Sequence, residues 1–420
     1  MLAGSLAVAL SLTEYAARAE QAPPPFAAAL PYLVIDPQFA PPTAVHLALV
    51  AIGALQALGL LLLYRALRNR PLLRSQFGVL AMPAALMVFF ALRAHAVSGF
   101  DTYAYAGYAQ LAHLADAYTP PATRLPGTFG VVNDVWGLPL VPCYYGPLWV
   151  VLSQLVAGHA GSLGTAIFAL RLLEVPALIA VVLVLARWKR DAALVALLAL
   201  NPAVYSLYVA NAHNDLLAVA LLLAASALAR RFPLAAALGV AAAALIKIPF
   251  AAAALYVFAG RGQLLRRVWW IALTAVLALG LSFAFGGKPY FEDLVMRVHQ
   301  TTASSGLLYV LTARVIKAGL AIVAAVALLT AFLRAAVWRT AGWSFVTLGS
   351  LTYPWYLIWP LPYAALERRA LAWFLVPLPL LAAAMEPAFP HLGLGQGVLL
   401  AMLIAAAYEM LRARPLSVEE

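Results

Sequence analysis

The chain reads as an all-α polytopic membrane protein, and three observations carry that reading. Of its 420 residues, 65% are apolar and only 10% are charged, well outside the balance of soluble domains. Its apolar stretches run to roughly 18–22 residues, long enough to cross a hydrocarbon core. Those stretches are continuous and rich in Ala and Leu, where a transmembrane β-barrel would alternate apolar and polar positions. The single cysteine, Cys143, excludes an internal disulfide and a cysteine-rich metal site.

The spans are placed by hydropathy at 44–64, 77–97, 164–186, 192–209, 216–228, 268–285, 315–333, 371–385 and 397–410. Basic clusters follow several of their ends: 65–74, 187–190, 230–231, 261–267, Arg334 with Arg339, Arg368 with Arg369, and Arg412 with Arg414. These hold 18 of the 27 Lys and Arg, so the positive-inside rule puts those loops in the cytoplasm. The other connections carry Asp101, Asp116, Asp134, Asp215, Glu292, Asp293 and Glu386, and so face out. The net charge of +11 is therefore a topology signal, and nucleic acid is not an expected partner.

Two segments break simple alternation. Residues 233–257 lie between two basic clusters, so the chain enters and leaves on one side, as two half-spans turning near Lys247-Ile248-Pro249. About 12 helical residues rise roughly 18 Å, which carries Lys247 past the bilayer middle. Residues 343–369 likewise cross outward and return, with an apex at Tyr353-Pro354-Trp355-Tyr356. Broken helices of this kind belong where they are buried in protein or line a cavity.

At the N-terminus, LAGSLAVALSL (2–12) is read as a retained first span, with AARAEQA as the alternative of a signal-peptidase site. The Pro-rich stretch that follows is external, so 1–43 forms an N-terminal segment and 44–420 one transmembrane domain. The largest external connection, 98–145, has the Asp, Tyr, Trp, Pro and Gly content of a folded, membrane-hugging loop. YGPLWVVLSQLVAG (145–158) then dips in and returns, or lies along the surface.

The polar residues fall into an outward group and an intramembrane group. FDTYAYAGYAQL sets Asp101 beside Tyr103, Tyr105 and Tyr108. Asp101 is either the N-cap of an interfacial helix starting at Thr102, or a general base beside aromatic platforms for sugar rings. The tyrosines alone would form an interfacial belt. NAHND brings Asn211, His213, Asn214 and Asp215 to the same face, as a solvated turn or as ligands for hydroxyls and a phosphate. Its two metal-ligating side chains are too few to specify a metal. NPAVYSLY, just upstream, places a proline within a span and predicts distortion there. Arg171 and Glu174, three apart on one helix, either satisfy each other or leave the arginine for a ligand. Lys247 has no nearby acid in sequence, and a lysine directed into protein at this depth is a functional candidate. A phosphate ester would supply the missing negative charge for Lys247 and Arg171, and Arg93 with His95 either pairs with Asp101 or meets the same phosphate.

The order of these features resembles the GT-C superfamily of integral membrane glycosyltransferases, which use polyprenyl-phosphate-linked sugars. The elements that carry the likeness are FDTYAYAGY, YYGPLW, RLLE, NAHND, KIP and YPWYLIWPLP. They most resemble the bacterial polyprenol-phosphate-mannose-dependent mannosyltransferases and their DUF2029 (family GT87) relatives, from about residue 77 to residue 362. The resemblance implies a bundle of about eleven to thirteen transmembrane helices, with broken or re-entrant helices and a large first external loop. It implies an active site facing outward from the bacterial cytoplasmic membrane. The donor would be a polyprenyl-phosphate sugar, mannose first, and the acceptor a glycolipid or glycan.

In such a site the first-loop acid, here Asp101, is the expected catalytic base, and the outcome is inversion. One carboxylate then suffices, without the paired carboxylates of glycoside hydrolases. Lys247, Arg171 and Arg93 are the expected donor-phosphate ligands. Tyr103, Tyr105, Tyr145, Asn211, His213, Asn214, Asp215, Tyr353, Trp355, Tyr356 and Trp359 are the expected sugar and acceptor ligands. No cofactor is indicated. Many GT-C enzymes carry two adjacent first-loop acids, whereas Thr102 follows Asp101 here, which argues against a divalent metal. A transporter or flippase of lipid-linked sugars would spread polar groups on both sides of a central site, and here they gather outside. An O-antigen-type polymerase or ligase would need a large, arginine-rich late external loop. The loop at 286–306 is modest in length.

Overall fold

A continuous apolar run inside lipid must satisfy its own backbone, which a helix does unaided. The computed structural model describes residues 1–19, 42–94, 100–258, 263–300, 322, 354–359, 361 and 375–384. Among these the chain is helical without a β-strand, apart from an isolated bridge between Pro71 and Asp191. The expected spans at 315–333 and 397–410, and the residues His95 and Tyr353, lie outside the described residues.

The first three helices are α1 (Leu2–Ala19), α2 (Pro42–Leu67) and α3 (Arg74–Arg93). Helix α2 packs on α1, and α3 lies against α1 as well. The connection from Phe100 to Tyr145 is folded, as its composition predicts. It contains α4 (Asp101–Ala109), two short 3-10 turns and α5 (Gly130–Trp136). Trp136 Nε1 donates to the Phe100 carbonyl at 2.9 Å, and the Tyr108 hydroxyl to the Val141 carbonyl at 2.9 Å. The Tyr118 hydroxyl donates to the Tyr145 carbonyl at 3.1 Å. The first two bonds tie the loop to α4, and the third ties its middle to its end.

Two expectations for this loop change. Helix α4 begins at Asp101 itself, and the N-cap position falls to Phe100, which makes no side-chain cap. The Asp101 carboxyl thus sits in the first turn, where the helix dipole favours negative charge, and is not spent on capping. The tyrosines do not form a lipid-facing belt: Tyr103, Tyr105 and Tyr108 are all buried. Tyr105 packs edge-on against Tyr145 and Trp149, with ring centroids 4.9 and 5.0 Å away.

Residues 147–157 form α6 (Pro147–Ala157), packed on α4. Next come α7 (Leu163–Lys189) and α8 (Ala192–Ala199). Asp191, buried between two arginine-rich ends, caps α8 by accepting from the amides of Ala193 and Leu194. The span at 192–209 is indeed distorted. Asn201 caps a restart at Pro202, giving α9 (Pro202–Val204) and a wide π-type turn through Ala210, bent by 48° from α8. NAHND follows, with Ala212 in the left-handed region at φ 48°. For a residue with a Cβ that conformation costs about 1–2 kcal/mol, so the turn is held by its surroundings.

Helix α10 (Asp215–Leu228) leads to the broken segment. A break falls at Lys247, as expected: α11 (Pro233–Ile246) ends there, Lys247 is extended, and a 3-10 turn leads to α12 (Ala254–Val257). Pro249 brings no amide for the Leu245 carbonyl, and the Phe250 amide turns to the Lys247 carbonyl, so carbonyls at the end of α11 lose their helical partner. One of them, Ile246 O, accepts from Gly146 N at 3.0 Å. A Cβ on Gly146 would lie 2.2 Å from the Leu245 carbonyl oxygen, so only glycine permits this approach. The YYGPLW motif is thereby docked on the helix break.

Helix α13 (Leu264–Gln300) runs past the expected end of its span, interrupted at Gly287 (φ 61°) and Pro289. Residues 288–300 were expected to be loop. They are helical because Gly287 absorbs the break and the Lys288–Glu292 pair at 2.7 Å supports the turn beyond it. The last described helix is α14 (Leu378–Ala384), packed on α2. Thr43–Leu67, Leu163–Trp188 and Leu264–Met296 are each long and apolar enough to cross a membrane, as is the bent pair 192–210.

The Gly146 contact is testable. Gly146→Ala should force the loop off the break and move Tyr145, cutting activity at least about tenfold through misplacement alone while membrane insertion is retained. Activity equal to wild type would show that the close approach is not needed.

Candidate active site

Four separate pieces of chain meet at one place in the bundle: the start of α4, the end of the loop, the NAHND turn, and the break at Lys247. A fifth, the 3-10 turn Pro354–Ile358, closes over them. The Tyr208 hydroxyl anchors that turn by donating to the Trp355 carbonyl at 2.8 Å.

Asp101 is partly exposed, with its side chain 21% accessible. Its Oδ2 accepts from the Tyr145 hydroxyl at 2.9 Å and lies 3.6 Å from His213 Nδ1. Burial pushes the carboxyl above its ordinary range, while Lys247 and the Tyr145 hydroxyl pull it back. Burial holds the His213 imidazole well below its ordinary range, and Lys247 adds to this. His213 is therefore neutral at physiological pH and stacks flat on Trp355, with centroids 4.0 Å apart.

Lys247, with no acid near it in sequence, finds one across the fold. Its Nζ donates to Asp215 Oδ1 at 2.7 Å, and Trp359 Nε1 donates to the same oxygen. Asp215 is fully buried. The ammonium also lies over three rings: Tyr356 at 4.4 Å, Trp359 at 5.3 Å and Tyr145 at 5.5 Å. Cation–π attraction of this kind is stronger in desolvated sites. An ammonium carries three donors, so Lys247 retains capacity for an anion beside Asp215. Tyr145 thus touches both Asp101 and Lys247, linking the carboxylate and the cation.

Asp101, Tyr145, His213, Asp215, Lys247, Trp355, Tyr356 and Trp359 are brought together, as the sequence grouped them. Asn211 and Asn214 flank them, both buried. Asn211 Nδ2 donates to the Ser206 carbonyl at 2.8 Å. Tyr105 stands behind Tyr145 as support, and Tyr103 packs on Phe100 with centroids 5.9 Å apart. Arg93 does not join the group: it is exposed at the end of α3, with its guanidinium 5.4 Å from the Phe89 ring centroid. Arg171 is fully buried and turned to backbone carbonyls of Ala210, Leu92 and Ala94.

Thr102 has a further role in the fold. It is fully buried, and its hydroxyl donates to the Asn211 carbonyl, tying α4 directly to NAHND. Phe250, one residue past KIP, packs under Trp359 at 5.0 Å. An apolar residue beside a motif carries no chemical signal, so sequence reasoning passed over it. Among the described residues no three His, Cys, Asp or Glu side chains are grouped to hold a metal ion.

No curated protein and no solved structure matches the chain. A family model does, over residues 2–261, described as alpha-(1->6)-mannopyranosyltransferase, N-terminal domain. The match takes in Asp101, Tyr145, NAHND and Lys247, and stops short of the turn bearing Trp355 and Trp359. It extends over more than half of the 420 residues. The chain belongs to the MptA/B family of alpha-(1->6)-mannopyranosyltransferases.

Proposed function

We propose that this mannosyltransferase takes mannose from a polyprenyl-phosphate donor and passes it, with inversion, to a hydroxyl of a glycolipid or glycan. The reaction would take place at the outer face of a bacterial cytoplasmic membrane, in a GT-C-like bundle. One observation carries the reading. Beside Asp101, the NAHND turn holds buried polar atoms without a hydrogen-bond partner: Asn211 Oδ1, both His213 nitrogens, both amide atoms of Asn214, and Asp215 Oδ2. Each such atom costs about 1–3 kcal/mol if left unpaired. A lipid tail would not relieve that cost. Hydroxyl groups or ordered water would, and the stacked His213 and Trp355 add an aromatic wall that suits a sugar ring.

Asp101 is the base in this scheme. As the acceptor oxygen attacks the anomeric carbon, its proton passes to Asp101 Oδ2. The bond from that carbon to the phosphate oxygen breaks on the opposite face, and the electron pair leaves with the lipid phosphate. The leaving group is already an anion, so it needs no acid, and Lys247 stabilises its growing charge. Asp215 is the weaker candidate for base, because its Oδ1 is committed to Lys247 and Trp359. Asp101 has one hydrogen bond and a carboxyl made more basic by burial.

Four outcomes are expected, all read in a membrane assay with radiolabelled polyprenyl-phosphate mannose. Asp101→Asn should lose about 10²- to 10⁴-fold in turnover; transfer at the wild-type rate would remove Asp101 as base. The rate should fall on the acid side as pH drops through the raised Asp101 pKa, above the ordinary carboxylate value of about 3.9. Tyr145→Phe takes away a bond to the charged form, so it should move that acid limb to still higher pH. A limb that stays put, or moves down, would contradict the pairing. Lys247→Gln should raise the donor KM more than the acceptor KM, and equal effects would place Lys247 outside the phosphate site.

A further inference from the structure

The RLLE motif on α7 takes no direct part in this scheme, yet both of its charged residues are fully buried. Arg171 Nε donates to the Ala210 carbonyl at 2.6 Å, one residue before NAHND. Its Nη1 donates to the Ala94 carbonyl at 2.6 Å and the Leu92 carbonyl at 3.2 Å. Those two carbonyls belong to the C-terminal end of α3, the segment that leads toward Asp101. A guanidinium presents its donors in a fixed planar fork, so the two chain segments are held in one geometry. The cation also lies where helix ends expose carbonyls, which favours positive charge.

Three residues along α7, Glu174 faces the opposite end of the turn. Its carboxyl looks onto the backbone amide of Leu217, in the first turn of α10, without closing a hydrogen bond of ordinary geometry. Helix α10 has no side-chain cap of its own, so a carboxyl at its positive end is complementary. The motif thus holds NAHND on one side through the cation on the carbonyl before it, while the acid lies toward the amide of Leu217 after it. The Thr102 hydroxyl on the Asn211 carbonyl adds a second tie between the same two segments.

We propose that Arg171 is a positioning residue, which sets the NAHND turn against the Asp101 segment, and that Glu174 supports the far end of the turn. This replaces the expectation that Arg171 contacts the donor phosphate. Its kinetic meaning rests on the transfer reaction proposed above, whereas its structural meaning does not.

The test uses full-length Arg171→Gln, Arg171→Lys and Glu174→Gln proteins in lipid nanodiscs, with two readouts. By amide hydrogen exchange, Arg171→Gln should accelerate residues 100–105 and 211–215 together, by tenfold or more, with α13 unchanged. Arg171→Lys, which keeps the charge but loses the fork, should fall between this variant and wild type. Glu174→Gln should accelerate 211–217 alone. By kinetics, Arg171→Gln should lower kcat about 100-fold, as misplacement can, with the donor KM held within about threefold. A donor KM that rises while kcat is kept would make Arg171 a phosphate ligand and overturn the proposal. Exchange that is unchanged in either segment, or faster throughout the chain, would also overturn it. If the wild-type protein transfers no mannose from this donor, the exchange result still decides the clamp, and only the reaction scheme fails.

Discussion

The ion pair between Lys247 and Asp215 is the interaction on which the rest of the site depends. A lysine carried deep into a membrane protein costs about 2.5–3.5 kcal/mol on insertion scales, and Asp215 is fully buried. Neither is tolerable alone; together, at 2.7 Å, they neutralise each other. The pairing dictates local structure on both sides. Lys247 reaches Asp215 from an extended residue between two half-helices, and Asp215 meets it at the first position of α10.

The break at Lys247 has its own consequence. The Ile246 carbonyl freed there is taken by Gly146, whose missing side chain allows backbone to touch backbone. Docking Gly146 places Tyr145 between Lys247 and Asp101, so the carboxylate proposed as base is tied, through one tyrosine, to the buried pair. Trp359 donates to the same carboxylate oxygen of Asp215, bringing in a segment more than a hundred residues further on. The turn from Pro354 to Ile358 is anchored in the same way by Tyr208.

Much of this was legible in the sequence, for a physical reason. Polar residues inside apolar runs are costly, so NAHND, KIP and YPWY announced themselves, and charge counting set them on one face. The break at Lys247 was legible from the basic clusters on both sides of 233–257, and the distortion at Pro202 from the missing proline amide. What sequence could not supply was direction. Three tyrosines at a membrane boundary look alike whether they face lipid or protein, and here they face protein. The contacts of Arg171 were not legible because they are carbonyls of the backbone, which every residue has and no motif marks. Asp101 differs from an N-cap by a single residue of helix start, a distinction that only the fold makes.

The most direct test of this account is a double-mutant cycle on the buried pair, read as thermal or denaturant stability in a defined membrane mimic. The variants are Lys247→Met, Asp215→Asn and the two combined. If the pair organises the site, Lys247→Met alone should cost about 3–5 kcal/mol, because it strands a buried carboxylate. The double variant should recover much of that loss, leaving a coupling of at least about 2 kcal/mol. Losses that simply add would mean that Lys247 and Asp215 act independently, and the site would have to be held together in some other way.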